Sequence, residues 1–151
     1  MKYSLYSFYS FYSILSIISW DKIVGYIFTG AIRHKGGFIG GNSKLRNGSR
    51  IGMEIYIDSN PKTLTFFDND EEQKNFVTNI PNTVRIFYYI WVNNTSFKIT
   101  KFEFLSTPTA NHEKGSRALE YGKLWGNGIR FAMAQALIVC YSPTSNTKLI
   151  S

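Results

Sequence analysis

Hydrophobic and polar positions alternate most cleanly in "RIGMEIYID", where Ile51, Met53, Ile55 and Ile57 interleave with Gly52, Glu54, Tyr56 and Asp58. A period of two puts every second side chain on one face, so the stretch predicts a strand with one buried side. "SNPK" ends it, because Pro61 restricts the residue before it and Ser59 and Asn60 are turn formers. "TLTFF" then resumes as a second strand, and the pair predicts a hairpin. Upstream, "IVGYIFTGAIRHKGGFIGG", from Ile23 to Gly41, reads as a strand, a small turn and a second short strand ending in a glycine-rich bend. Downstream, "DNDEEQKN" reads as a polar loop and "FVTNI" as a short apolar segment. "TVRIFYYIWV", from Thr83 to Val92, has the aromatic and β-branched content of a long strand. "NNTS" turns it into "FKITKFEFL", where Phe97, Ile99, Lys101 and Glu103 share one face and Lys98, Thr100, Phe102 and Phe104 the other. This pair predicts a second hairpin.

Beyond Ser106 the texture changes. "STPTANHEKGS" reads as a loop and "RALEYGKLW" as a short helix. "IRFAMAQALIVCY", from Ile129 to Tyr141, is an apolar run rich in helix formers, and its 13 residues are too few to span a bilayer as a helix. At the other end, "SLYSFYSFYSILSIIS" places a serine at every third position from Ser4 to Ser19. That spacing fits neither a strand's period of two nor a helix's 3.6, so the hydroxyls mark out no polar face. Residues 3 to 20 carry no charge, which raises a signal or membrane anchor. Serine interrupts the apolar run too often for either, and the triplet regularity reads as low complexity. The expected organisation is therefore a serine-aromatic segment over residues 1–22, a β-rich portion over 23–105, and a loop, short helix and extension over 106–151.

Composition narrows the function classes. A chain of 151 residues is long enough for one domain with a real core. The 17 Lys and Arg against 10 Asp and Glu give a formal charge of +7, which steers anionic partners but is scattered singly rather than gathered into a nucleic-acid stripe. The single Cys140 leaves no internal disulfide and no thiolate cage, compatible with a reducing, cytoplasmic setting. A secreted or membrane-associated location is the alternative if the first segment is a signal or anchor.

In order, "GSRIGMEIYID", "TLTFF", "DND", "NFVTNIP" and "VRIFYYIW" resemble the core of the SPRY domain family over about residues 25 to 105. The resemblance implies a sandwich of two antiparallel sheets that binds peptides or proteins through its loops. Gly48-Ser49 stands where the family usually has Gly-Asp, and Asn69-Asp70 where many members have Asn-Gly, so a tight primed turn there loses its glycine. The strands that such a fold places earlier are missing or replaced by residues 1–22, so the sandwich is expected to be incomplete.

Catalysis finds little footing. His34 in "RHKGG" and His112 in "ANHEK" belong to no nucleophile motif and read as solvent-facing loop histidines. Glu54 and Asp58, on one strand face, lie about 13 Å apart by strand rise, too far for a glycosidase pair. The carboxylates of the Asp68–Glu72 loop lack the ligand order and glycine of a calcium loop. The expectation is thus an all-β, SPRY-like β-sandwich with short helical segments near the C-terminus, no catalysis, no metal and no cofactor, binding a protein or peptide and no specific nucleic acid. Its candidate partner surface comprises Arg33, His34, Lys35, Asp68, Asp70, Lys74, Tyr89, Trp91, Asn93 and Asn94. A carbohydrate-binding or carbohydrate-cleaving sandwich and a truncated, non-functional gene fragment are the alternatives.

Overall fold

The computed structural model describes residues 20–90, 96–126 and 136–141. The chain is all-β: ten strands in two five-stranded sheets follow a single 3-10 turn at Trp20–Lys22 among the described residues. The strands are β1 (Ile23–Ile27), β2 (Ile32–His34), β3 (Gly37–Ile39), β4 (Ile51–Tyr56), β5 (Thr63–Asp68), β6 (Glu71–Glu72), β7 (Asn75–Thr78), β8 (Arg85–Ile90), β9 (Arg117–Glu120) and β10 (Ala136–Tyr141). One sheet runs β3-β2-β1-β10-β8; the other runs β4-β5-β7-β9, with β6 paired to β5. No helix among the described residues is long and apolar enough to cross a membrane.

The alternation in "RIGMEIYID" forms β4, and its antiparallel register with β5 pairs Met53 with Phe66 and Ile55 with Leu64. These side chains face the core or pack against it, while Ile57 falls beyond the strand and is exposed. The opposite face of the same pair carries Glu54 opposite Thr65 and Gly52 opposite Phe67. Val24, Tyr26 and Ile32 from the first sheet meet Leu64, Phe66, Val77 and Leu119 from the second in one cluster, closed by Ile80 and Trp125. Tyr26 and Phe66 join the sheets directly, with ring centroids 5.2 Å apart.

Several expectations change here. The glycine-rich bend contains β3, so Ile23–Gly41 makes three strands rather than two. "RALE" is not helical: it forms β9, parallel to β7, with Arg117 N–H donating to the Lys74 carbonyl at 2.7 Å and Tyr121 N–H to that of Thr78 at 2.9 Å. Four residues before a turn nucleate a helix poorly, whereas the edge of β7 offers them a ready row of partners. "ALIVCY" is likewise a strand: β10 lies in mid-sheet between β1 and β8, and a short apolar, β-branched run suits such a position. The "FKITKFEFL" strand does not form; residues 96–105 carry no strand, and β8 pairs with β10 instead. Residues 1–19, 91–95, 127–135 and 142–151, and with them the expected "NNTS" turn in large part, lie outside the described residues.

Candidate partner-binding site

The candidate site is built from the loop between β3 and β4 and the hairpin end of β5. Tyr26, buried in β1, donates its hydroxyl to the Ser43 carbonyl at 2.6 Å, while Ser43 N–H donates to Gln73 Oε1 at 2.7 Å. The Gln73 amide in turn donates to the Glu71 carbonyl at 3.0 Å. Burial, with the charge of Asp68 second, raises the Tyr26 phenol well above its ordinary pKa, so this hydroxyl remains a donor. Asn42 is fixed beside it, because its Oδ1 accepts both the backbone and the side-chain N–H of Asn75 at 2.9 Å. Further along, Arg46 N–H donates to Ser49 Oγ and Ser49 N–H to the Arg46 carbonyl, closing a turn around Asn47 and Gly48. Arg50 and Asn69 bracket each other, with Asn69 N–H donating to the Arg50 carbonyl at 2.8 Å and Arg50 N–H to Asn69 Oδ1 at 3.2 Å.

Asn69 and Asp70 have φ of 51° and 69°, and Asp68 pairs with Glu71 across them. Two residues with positive φ are what a primed hairpin turn needs, and asparagine and aspartate tolerate that region better than other side chains. The tight turn therefore forms without a glycine. Beside these locks lies an open surface depression of about 410 Å³ lined by residues 43–44, 46–49 and 68–69. Lys44 and Arg46 line it without a carboxylate partner: the ion pairs among the described residues join Arg50 to Asp70 and Lys101 to Glu103. Asp68 is the one acid on the wall, and its Oδ1 accepts from Asn69 Nδ2 at 3.0 Å.

The proposed partner residues separate into two groups. Asp68 lines the pocket, Asp70 is an exposed ion-pair partner of Arg50 beside it, and Lys74 is exposed on the segment between β6 and β7. Asn42 N–H bonds the Gly30 carbonyl and Leu45 N–H that of Phe28, so this group lies at the β1–β2 turn. Arg33, His34 and Lys35 belong to the opposite end of β2. The Arg33 guanidinium lies 5.3 Å over the Phe38 ring, and Lys35 Nζ donates to the Gly122 carbonyl at 3.1 Å. Tyr89 sits in β8 opposite Leu137, while Trp91, Asn93 and Asn94 lie outside the described residues.

His34 is the clearest correction. Far from facing solvent, it is fully buried at the end of β2, between the rings of Tyr121 and Trp125. Gly122 N–H donates to its Nε2 at 2.8 Å; a backbone amide can only donate, so Nε2 is bare and the proton resides on Nδ1, directed at the Ile23 carbonyl 2.8 Å away. Both ring nitrogens are occupied, and burial holds the imidazole below its ordinary pKa, against the opposing effect of the Ile23 bond. Such a histidine is a structural tie and offers a partner nothing. His112 departs from expectation too: half-buried, it stacks on Phe76 with centroids 3.7 Å apart and bonds Thr65 Oγ1 at 2.9 Å.

Sequence reasoning missed Lys44 and Arg46, which it treated as dispersed surface charge. The available signal was local: Lys44, Arg46 and Arg50 are three cations within seven residues, wrapped around the turn-forming Asn47-Gly48-Ser49. Against known proteins, no family model matches the chain, and no curated protein or solved structure matches it either.

Proposed function

We propose that this chain is a non-catalytic interaction module, a SPRY-like β-sandwich that binds a peptide or protein partner through the loops at the β1–β2 turn end of its sheets. The observation that carries this reading is the loop of residues 42–50, held by hydrogen bonds with Tyr26, Gln73, Asn75 and Asn69 on neighbouring strands or turns. Ordering a loop before a partner arrives lowers the entropy lost on binding, which is how rigid scaffolds present recognition loops. The SPRY-like part is supported by order: β4, β5, β7 and β8 occupy in turn four of the five segments that carry the resemblance, and the fifth, "DND", runs from the end of β5 into the turn. Selection of random peptides on the purified chain, run beside a glycan array, tests the reading. Selected peptides should bind, and lose binding when Arg46 is changed to alanine or when the 42–50 loop is replaced by a glycine-serine linker. Sugar binding that vanishes in Trp91→Ala, with no peptide selected, overturns it.

A further inference from the structure

We infer that the pocket between residues 43–49 and Asp68–Asn69 takes a carboxylate side chain of an acidic peptide segment, an assignment that rests on the interaction-module reading and names its ligand class. Two cations, Lys44 and Arg46, reach this pocket, and neither forms an ion pair among the described residues, Asp68 on the same wall included. Arginine offers a planar fork that matches a carboxylate, and lysine adds a point charge. The loop that carries them is closed by the Arg46–Ser49 turn and anchored through Ser43, so their backbone positions are set in advance.

Asp68 selects among anions. A phosphate dianion on Lys44 and Arg46 meets the like charge of this carboxylate on the same wall, whereas a carboxylate monoanion meets half of that repulsion. A peptide also brings backbone N–H groups beside its carboxylate, and the Asp68 oxygen not engaged by Asn69 accepts one of them. The lining contains no aromatic ring, so the pocket lacks the stacking platform on which a sugar or a nucleobase would lie. The formal charge of +7 draws an acidic segment toward the chain before contact.

The test is fluorescence anisotropy of the full chain with a labelled oligoglutamate peptide, with oligoglutamine as the control and inorganic phosphate as competitor. The expected result is binding of oligoglutamate alone, weakened about tenfold or more in Lys44→Gln/Arg46→Gln, the scale of losing close charge contacts. Lys98→Gln/Lys114→Gln removes the same charge from exposed positions elsewhere and is expected to leave binding within about twofold, as for charges away from an interface. Equal weakening in both variants, or displacement by phosphate at the same concentration as unlabelled oligoglutamate, overturns the assignment. Both pairs are exposed, and unchanged circular dichroism and Tm confirm that the variants fold. If peptide selection yields binders that are not acidic and ignore Lys44→Gln/Arg46→Gln, this inference fails while the interaction module stands. If no peptide of any composition binds, the module itself fails.

Discussion

Residues 96–105 and 109–126 are neighbouring stretches of one chain with opposite fates. The first contains the cleaner strand alternation, yet it forms no strand and leaves Phe97, Ile99, Phe102, Phe104 and Leu105 exposed, with Phe104 at 85%. The second has no apolar pattern to speak of, yet beside the β7–β9 pairing and the buried Leu119 and Trp125 it is pinned by side chains in three further places. Glu54 accepts the backbone N–H of Thr109 and Ala110, and Glu72 those of Asn111 and His112. His34 then holds Gly122. Through His112, the strap also covers Thr65 and Phe76, which explains why the side chain of Thr65 is buried on the face turned away from the core. Alternation makes a surface that could pair, but it does not by itself make a strand: β10 holds one edge of β8, and the other edge has no strand partner among the described residues. Two carboxylates on the outer face of a sheet can order a polar segment without any hydrophobic periodicity, because charge-assisted bonds to backbone N–H groups are the strong kind.

The sharpest way to break this contrast is to cut the His34 tie. His34→Ala leaves a cavity and orphans both the Ile23 carbonyl and the Gly122 amide, so urea unfolding should show a loss of about 3–4 kcal/mol. Acid should act in the same direction on the unmutated chain. The folded-state pKa of His34 lies below its unfolded value, so the fold favours the neutral ring; the associated stability is complete above about pH 6.5 and is lost as pH falls below it. Protonation would also require the Gly122 amide to face an N–H rather than a lone pair. A urea midpoint that is flat from pH 7 to 5 would count against the bare Nε2.

Next in size is Glu54→Ala/Glu72→Ala, expected to cost about 2 kcal/mol, since the released amides regain water and recover part of the loss. Hydrogen exchange at residues 109–112 should accelerate while exchange in β4 and β5 stays slow. Protection that survives the double substitution would show that the strap is held by packing rather than by the carboxylates. The smallest effect belongs to the exposed ribbon: Phe102→Ser/Phe104→Ser should change stability by no more than about 0.5 kcal/mol and reduce self-association in sedimentation. A loss above about 1 kcal/mol would erase the distinction between the two stretches.

The β4–β5 hairpin was legible because period and turn chemistry agreed: Ile51, Met53 and Ile55 alternate, and Pro61 stops them. β9 and β10 were not, because Ala, Leu and Glu favour helices locally while the unsatisfied edges of β7 and β1 lie far away in sequence. "DNDEEQKN" looked like solvated loop, yet Gln73 and Asn75, both within it, are buried, since they satisfy a loop that the sequence does not pair with them. The candidate site was half legible for the same reason. Asp68 and Asp70 stand out as carboxylates in a turn, but Lys44 and Arg46 gain meaning only once Arg50 and Asn69 bracket the two loops together. His34 misled because "RHKGG" is a loop-like string, and nothing local announces the Gly122 amide that buries it.

The pairing of β1 with β10 matches Ile23 with Tyr141, and that of β7 with β9 matches Asn75 with Arg117. Made in order on a ribosome, β1 emerges with one flank unsatisfied and stays so until almost the whole described chain has been synthesised. Its apolar residues Ile23, Val24, Tyr26 and Ile27 spend that interval without their final neighbour, and closure must bring together segments far apart along the chain. Closure over so long a stretch of chain slows folding through the order of the strands, whatever the strength of the core, because loop entropy is lost before the β1–β10 contacts form.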